Sequence, residues 1–247
     1  MKRRAHATGG GALAVAAAAA WCGPGLAVHS DAVARAIGVA RRLPGRAGVA
    51  ITFDDGPHPE GTPAVLEALR AAGARATFFL VGEQVRRHRS LTREIAVAGH
   101  EIAVHADRHR NQMRLLPPVF AADLRRAMAT ITEVSGQPVR HYRPPYGAFT
   151  PAGLVTVRRA GLRPLLWSQW GRDWRAHTTA AEIARLATRK LSGGDVILLH
   201  DSDAYSSPGA HRRTVAALPA ILGELERLGL AAVTAAEASV TRWPPGG

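Results

Sequence analysis

Two pairs of side chains in this 247-residue chain have the chemistry of a hydrolytic metal site. Asp54 and Asp55 are adjacent and directly follow a short apolar run. His105 and His109 are four residues apart, so one helical turn would place both imidazoles on the same face. One carboxylate beside them would complete a three-ligand site for a divalent cation with positions left for water. Each pair alone has an ordinary alternative, because Asp-Asp-Gly-Pro also forms turns and histidine pairs are often bystanders.

These side chains need elements that position them, and apolar runs alternate with helical patterns from Gly48 onward. The predicted strands cover residues 48–53, 76–81, 101–105, 162–167, 195–200 and 230–234. The predicted helices cover residues 63–73, 84–99, 118–136, 151–160, 180–191 and 214–229. This alternation predicts an α/β fold with a mainly parallel sheet, either open or closed into a barrel.

Polar side chains follow several of the predicted strands and precede one helix. In parallel α/β folds, functional groups gather beyond the C-terminal ends of strands. The groups at these ends are Asp54, Asp55, His105, His109, Arg143, Asp173, Trp174, His200 and Asp201. A hydrophobic core does not require so many charged and imidazole side chains at strand ends. We therefore predict that these strand ends form one site. Residues 202–212 are expected to form a loop over it.

Length and composition indicate one folded domain rather than two. The chain is 47% hydrophobic and 21% charged, which is typical of a globular protein. Its net charge of +13 comes from 30 Arg and only 2 Lys, and these are scattered along the sequence. Without a dense basic block or interleaved aromatic residues, the charge does not indicate nucleic-acid binding. We expect a monomer with no nucleic-acid partner.

The N-terminal segment has the pattern of an export signal. Lys2, Arg3 and Arg4 precede the Ala-rich apolar run 10–22, and Ala-x-Ala sequences offer cleavage sites. An uncleaved membrane anchor is the alternative, although the run is short for a transmembrane helix. We therefore predict an exported or cell-surface protein with a signal or anchor and linker over residues 1–47. The catalytic domain is predicted over 48–235 and a tail over 236–247.

Five motifs resemble those of the polysaccharide deacetylases, the NodB-homology group or carbohydrate esterase family four. They are "TFDDGP" (52–57), "HADRH" (105–109), "RPPYG" (143–147), "DW" (173–174) and "LLH" (198–200), in the family's order and approximate spacing. The resemblance covers about residues 48–235. It implies a distorted, incomplete (β/α) barrel of seven to eight mainly parallel strands, with one divalent metal, most commonly zinc, in a groove at its top.

The family's roles transfer to matching positions of this sequence. The metal ligands would be Asp55, His105 and His109. The catalytic base would be Asp54 paired with Arg143, and the general acid would be His200 oriented by Asp173. Substrate contacts would be the backbone N–H of Tyr146, which helps to hold the oxyanion, and the acetyl-methyl pocket formed by Trp174 and Leu198. Trp174, Leu198 and His200 also fit an ordinary core.

One position departs from the family pattern. Ser or Thr usually follows the first histidine of the second motif, and this chain has Ala106. The missing hydroxyl is a loop-stabilising group rather than a ligand. We expect a slightly looser metal loop, at a cost of about 1 kcal/mol, rather than the loss of the site.

The resemblance implies a hydrolase that removes N-acetyl groups from N-acetylated sugars in a polysaccharide or oligosaccharide. Peptidoglycan, chitin-like oligomers and exopolysaccharides all remain open as substrates. An O-acetyl esterase acting on a polysaccharide such as xylan would need the same groups, because only the leaving atom changes. A non-catalytic carbohydrate-binding homologue would not need an acid and a base. An Asp-His-His site accepts zinc, cobalt, nickel or manganese.

Overall fold

A parallel sheet surrounded by helices forms the core of the computed structural model, which describes Ala27, residues 30–45 and residues 48–238. The strands are β1 (Gly48–Asp54), β2 (Thr77–Val81), β3 (Glu101–Ala106), β4 (His141–Tyr142), β5 (Arg163–Pro164), β6 (Gln169–Trp170), β7 (Val196–His200) and β8 (Ala231–Ala232). The helices are α1 (Asp31–Ala36), α2 (Gly61–Ala71), α3 (Gly82–Arg87), α4 (Arg89–Val97), α5 (Pro117–Ser135), α6 (Pro151–Arg159), α7 (Ala180–Ala187), α8 (Ala210–Arg227) and α9 (Ala235–Ala238).

The strands run in the spatial order β5-β4-β3-β2-β1-β7-β6, and β8 pairs with the first residues of β1. Every pairing is parallel. Because β1 and β2 are buried along their whole length, they are continuous apolar runs rather than alternating ones. β5 and β6 stand at the two ends of this order and do not pair with each other, which confirms the predicted incomplete (β/α) barrel with mainly parallel strands.

The chain ahead of β1 lies across the gap between those two edges. Ala40 pairs with Leu165 beyond β5, and Arg42 pairs with Asp195 just ahead of β7. Leu43 is buried, and its N–H donates to the Gly194 carbonyl at 2.8 Å. Described residues within the predicted linker therefore pack against the barrel. The predicted boundaries at residues 47 and 235 stay predictions.

Two predicted elements differ from the structure. The predicted helix 84–99 is two helices, because the backbone angles of His88 are not helical (φ −129°, ψ 55°). The predicted strand 162–167 pairs regularly only at Arg163 and Pro164. The carbonyls that follow it, those of Leu165 and Leu166, accept hydrogen bonds from the Arg143 side chain. The short strands β4 and β6 were not predicted, since two residues cannot establish a period.

The predicted export or anchor segment lies outside the described residues except for Ala27 and residues 30–45. Among the helices that the structure describes, none combines the length and the apolarity needed to cross a bilayer. Export and membrane attachment stay predictions.

Candidate metal centre and active site

Three side chains converge at the C-terminal ends of β1 and β3. Oδ1 of Asp55 lies 3.4 Å from Nε2 of His105 and 3.3 Å from Nε2 of His109. These atoms are buried, and Oδ1 of Asp55 has no hydrogen-bond partner among the described residues. A buried carboxylate oxygen without a donor is costly unless a cation satisfies it. The donor set of one carboxylate and two imidazoles fits a divalent metal such as zinc.

The backbone turns sharply at the first of these residues. Asp55 has a left-handed backbone (φ 79°), which is uncommon for a residue with a side chain. Tyr146, whose ring contacts that of His109, also has a left-handed backbone (φ 62°). Such backbone conformations cluster at functional sites, where the surrounding packing holds them in place. Here the turn directs Asp55 towards the histidines while Asp54 remains in register with β7.

The protonation states of these side chains suit metal binding. Nδ1 of His105 lies 2.8 Å from the Arg143 carbonyl, so Nδ1 carries the proton and the Nε2 lone pair is free. Burial lowers the pKa of His109 to about 4, which keeps its imidazole neutral. Burial opposes ionisation of Asp55, but the neighbouring histidines outweigh it and lower its pKa to about 2. Neutral imidazoles and an ionised carboxylate are the forms that bind metals.

The proposed base, Asp54, is paired with a buried cation. Nη1 of Arg143 donates to Oδ1 of Asp54 at 2.6 Å and to the Thr52 hydroxyl at 2.8 Å. Oδ2 of Asp54 lies 4.0 Å from Nδ1 of His105, so the carboxylate borders the ligand cluster. The sequence placed these residues at strand ends, and the structure brings them together.

Arg143 itself is completely buried, and its surroundings explain how. Its guanidinium lies 4.0 Å from the centre of the Phe79 ring, and it donates to the carbonyls of Leu165 and Leu166. A buried charge is tolerated only when it is paired and its donors are satisfied. Arg143 meets both conditions, and it therefore holds Asp54 in a single orientation.

A histidine–aspartate pair also borders the cluster. Nδ1 of His200 lies 2.9 Å from Oδ1 of Asp173, and the His200 N–H donates to Oδ2 at 2.6 Å. The Thr214 hydroxyl donates to the same Oδ2 at 2.7 Å. Burial lowers the pKa of His200, but Asp173 and the nearby carboxylates Asp55 and Asp54 raise it to about 10. The imidazole therefore holds a proton at neutral pH, and its Nε2 lies 4.0 Å from Oδ2 of Asp55.

Five of the predicted site residues line one cavity of about 260 Å³: Asp54, Asp55, His105, His109 and His200. Arg143 and Asp173 do not line it. The three residues predicted to contact substrate line it as well: Tyr146, Trp174 and Leu198. Tyr146 is 63% exposed at the rim, whereas Leu198 is buried. Trp174 packs edge-on against His200 with ring centres 5.7 Å apart. The cavity thus has a polar side at the cluster and an apolar side at the tryptophans.

Four further lining residues lie outside the five motifs and were not predicted: Trp167, Trp170, Tyr205 and Ser206. Trp167 and Trp170 look like strand and core residues in the sequence. Tyr205 and Ser206 belong to the loop that was expected to cover the groove, but no pattern singles them out. Their position depends on how the loop 202–209 folds back over the barrel.

The metal loop, which follows Ala106 at the end of β3 and carries His109, has other anchors. The Asp107 N–H donates to Oδ2 of Asp123 at 2.9 Å, and the Asp107 carboxylate pairs with Arg86 at 2.6 Å. The Asp107 carbonyl accepts from the Glu83 N–H at 2.9 Å. These contacts connect the metal loop to α3 and α5 without a hydroxyl at position 106.

Known proteins share both the fold and this sequence pattern. Residues 42–165 match the family model described as polysaccharide deacetylase. The chain is 35% identical over 202 residues to a chitooligosaccharide deacetylase of Azorhizobium caulinodans, covering 78% of this chain and 94% of that protein. It is 36% identical over 191 residues to a peptidoglycan-N-acetylglucosamine deacetylase of Bacillus cereus, covering 76% and 86%.

A solved structure agrees with the sequence matches. A crystal structure of a peptidoglycan N-acetylglucosamine deacetylase superposes with a TM-score of 0.78 at 28% identity, covering 86% of this chain and 97% of that one. The chain therefore belongs to the polysaccharide deacetylase family, as the five motifs indicated. The relatives named here are carbohydrate deacetylases, and that activity is the starting point for a proposal about this chain.

Proposed function

We propose that this chain is an exported, metal-dependent hydrolase that removes N-acetyl groups from N-acetylated sugars in a polysaccharide or oligosaccharide. The observation that carries the proposal is that a carboxylate and an imidazole, each with its own buried partner, both border one ligand cluster. Asp54 is paired with buried Arg143, and His200 is paired with buried Asp173. A binding protein would need neither pair.

Asp55, His105 and His109 would hold one divalent cation, with zinc as our first choice and cobalt, nickel or manganese as alternatives. When bound, such a cation supplies Lewis acidity, which polarises a carbonyl and lowers the pKa of water. The chain supplies the proton transfers. Asp54 accepts the proton of the attacking water while Arg143 compensates its charge. The water oxygen then forms a bond to the acetyl carbonyl carbon.

The second half of the reaction needs an acid. As the bond between the carbonyl carbon and the sugar nitrogen breaks, Nε2 of His200 donates its proton to the departing amine. Asp173 fixes the ring through Nδ1 and stabilises the imidazolium. The backbone N–H of Tyr146 would donate to the oxyanion, and Trp174 and Leu198 would contact the acetyl methyl group. The products are acetate and a free amino sugar.

Acetate release tests this proposal. The wild-type protein with zinc is incubated with chitin oligosaccharides, peptidoglycan and O-acetylated xylan, each with and without a chelator. We expect release from at least one N-acetylated glycan and loss of release with the chelator. Release from xylan alone would favour the O-acetyl esterase. No release from any glycan would contradict an enzymatic function.

Replacing the carboxylate of Asp54 with an amide tests its role as the catalytic base. Asp54→Asn should lower acetate release by about 100-fold or more, because general base catalysis contributes that much, and it should leave the metal content unchanged. Glu226→Gln makes the same chemical change on an exposed part of α8 and should behave as wild type. Retained activity in Asp54→Asn would exclude Asp54 as the base.

A further inference from the structure

The two candidate metal histidines are oriented in different ways. Metal-binding histidines almost always donate their second ring N–H to a carbonyl, a carboxylate or water, which fixes the ring. His105 follows this rule through the Arg143 carbonyl. Nδ1 of His109 is buried and has no hydrogen-bond partner among the described residues. Something else must therefore hold the His109 ring.

The ring that packs on His109 is that of Tyr205. The two ring centres lie 4.4 Å apart with the planes 10° from parallel, so the rings are stacked. Tyr146 contacts the same imidazole edge-on at 4.9 Å. Aromatic pairs at such distances attract one another beyond their buried area. His109 is thus confined by two tyrosines, and Tyr205 restricts rotation of its ring.

Tyr205 is itself anchored at its hydroxyl. It donates to Oε1 of Glu83 at 2.6 Å and accepts from Nε2 of Gln84 at 3.1 Å. Glu83 also holds the metal loop, because its backbone N–H donates to the Asp107 carbonyl. One residue at the start of α3 therefore connects to both sides of the ring stack. The stack of Tyr205 on His109 joins loop 202–209 to the metal loop after β3.

We propose that Tyr205 is a positioning residue for His109, and that it preorganises the metal site by stacking rather than by a hydrogen bond. The inference rests on the proposed metal site but not on deacetylation. Tyr205 also lines the cavity, so an effect on activity alone would not separate positioning from contact with substrate. Metal affinity measured without substrate separates them.

The test compares zinc affinity of the full chain by competition with a chromophoric chelator. Tyr205→Leu removes the ring and should weaken zinc binding by about 10-fold, the lower end of the effect of losing a group that orients a ligand. Tyr205→Phe keeps the stack and should rescue most of the affinity. Ser206→Ala, in the same loop and the same cavity, should bind zinc as wild type does. Equal affinity in Tyr205→Leu and wild type would overturn the proposal.

A measurement on the wild-type protein covers the case in which Tyr205→Leu does not fold. The ring protons of His109 should resonate upfield in the metal-free protein, because they lie over the face of the Tyr205 ring. Histidine resonances without that shift would mean that the stack is absent in solution, and the proposal would fail. If zinc affinity depends on the Tyr205 ring but no glycan yields acetate, positioning stands and the proposed deacetylase function is wrong.

Discussion

Two clusters of two histidines and one aspartate occur in the described part of the chain, and only one has the properties of a metal site. The metal cluster comprises Asp55, His105 and His109, and the second cluster, which we name the clasp, comprises His58, Asp203 and His211. In both, the candidate ligand atoms lie within 4.8 Å of one another. The two clusters are therefore alike in residue types and in the spacing of their candidate ligand atoms, so neither property explains why only one of them suits a metal ion.

Two of the three clasp residues, His58 and Asp203, already use lone pairs in hydrogen bonds, whereas neither ring nitrogen of His211 has a hydrogen-bond partner among the described residues. Nδ1 of His58 accepts the backbone N–H groups of Glu60, at 3.2 Å, and Gly61, at 3.0 Å. The neutral ring must then carry its proton on Nε2, which faces Oδ1 of Asp203 at 3.2 Å. Oδ2 of Asp203 accepts the Gly209 N–H at 2.7 Å. A protonated Nε2 cannot bind a cation.

The comparison shows that a metal site needs a free lone pair on each ligand, in addition to suitable ligand types and spacing. Nε2 of His105 and Oδ1 of Asp55 are free to bind, whereas in the clasp Nδ1 of His58 and Oδ2 of Asp203 already accept backbone N–H groups. The clasp joins the turn after Asp55 to loop 202–209 through Asp203 and to the start of α8 through His211. The clasp therefore supports the loop that carries Tyr205. We expect one metal ion per chain.

The largest expected effect is on zinc binding, and it tests whether the metal cluster rather than the clasp binds the ion. His105→Ala removes one of three ligands and should weaken zinc binding by more than about 100-fold, beyond the usual effect of losing a supporting group. His211→Ala makes the same change in the clasp and should leave zinc at one ion per chain. Metal content by mass spectrometry and chelator competition measure both. Full metal content in His105→Ala would show that the ligand assignment is wrong.

Asp173 and Asp203, which each contact a histidine outside the metal cluster, should also differ. Asp173→Asn removes the charge that keeps His200 protonated, and we expect acetate release to fall by about 100-fold. Asp203→Asn changes the clasp and should alter release by about threefold at most, since Asp203 does not line the cavity. Initial rates on one substrate, with zinc saturating, compare the two variants. Equal losses would mean that the clasp takes part in the reaction.

A smaller effect concerns the stability that the clasp contributes. Asp203→Asn removes a carboxylate that contacts two imidazoles and a backbone N–H, and about 1 kcal/mol of stability is expected to be lost. For a chain of this length, that corresponds to a fall in Tm of about 2–4 °C. Thermal unfolding of the metal-free protein provides the measurement. An unchanged Tm would show that the clasp adds no stability.

The smallest effect is a dependence of stability on pH. Burial and the neighbouring His211 lower the pKa of His58 below its value of about 6.5 in an unfolded chain. A lowered pKa in the folded state means that the contribution of His58 is present above about pH 6.5 and is lost as the pH falls below it. His58 should therefore contribute a fall in the wild-type Tm on acidification.

Asparagine at position 58 keeps an acceptor for the Glu60 and Gly61 N–H groups but does not titrate. The Tm of His58→Asn should thus fall by about 1–2 °C less than that of the wild type between about pH 7.5 and pH 5.5. Identical pH profiles would show that His58 does not titrate differently in the folded and unfolded states.

The sequence by itself determined the fold class and the charged and imidazole groups that the structure brings together. Continuous apolar runs predicted buried parallel strands, and the groups beyond their ends predicted Asp54, Asp55, His105 and His200 at one edge of the sheet. These inferences succeed because strand direction and end position are local properties of the chain. The five ordered motifs then identified the family, which the comparisons confirm.

Only the tertiary structure decided how these groups are held. Burial of Arg143 against Phe79 and the carbonyls after β5 depends on residues 64 and 22 positions apart, and no local pattern encodes such contacts. The stacking of Tyr205 on His109 likewise joins two loops distant in the chain. Nor did the sequence reveal that His58 and His211 meet Asp203. Whether a lone pair is free depends on the fold, because each hydrogen bond requires a partner that the fold brings into place.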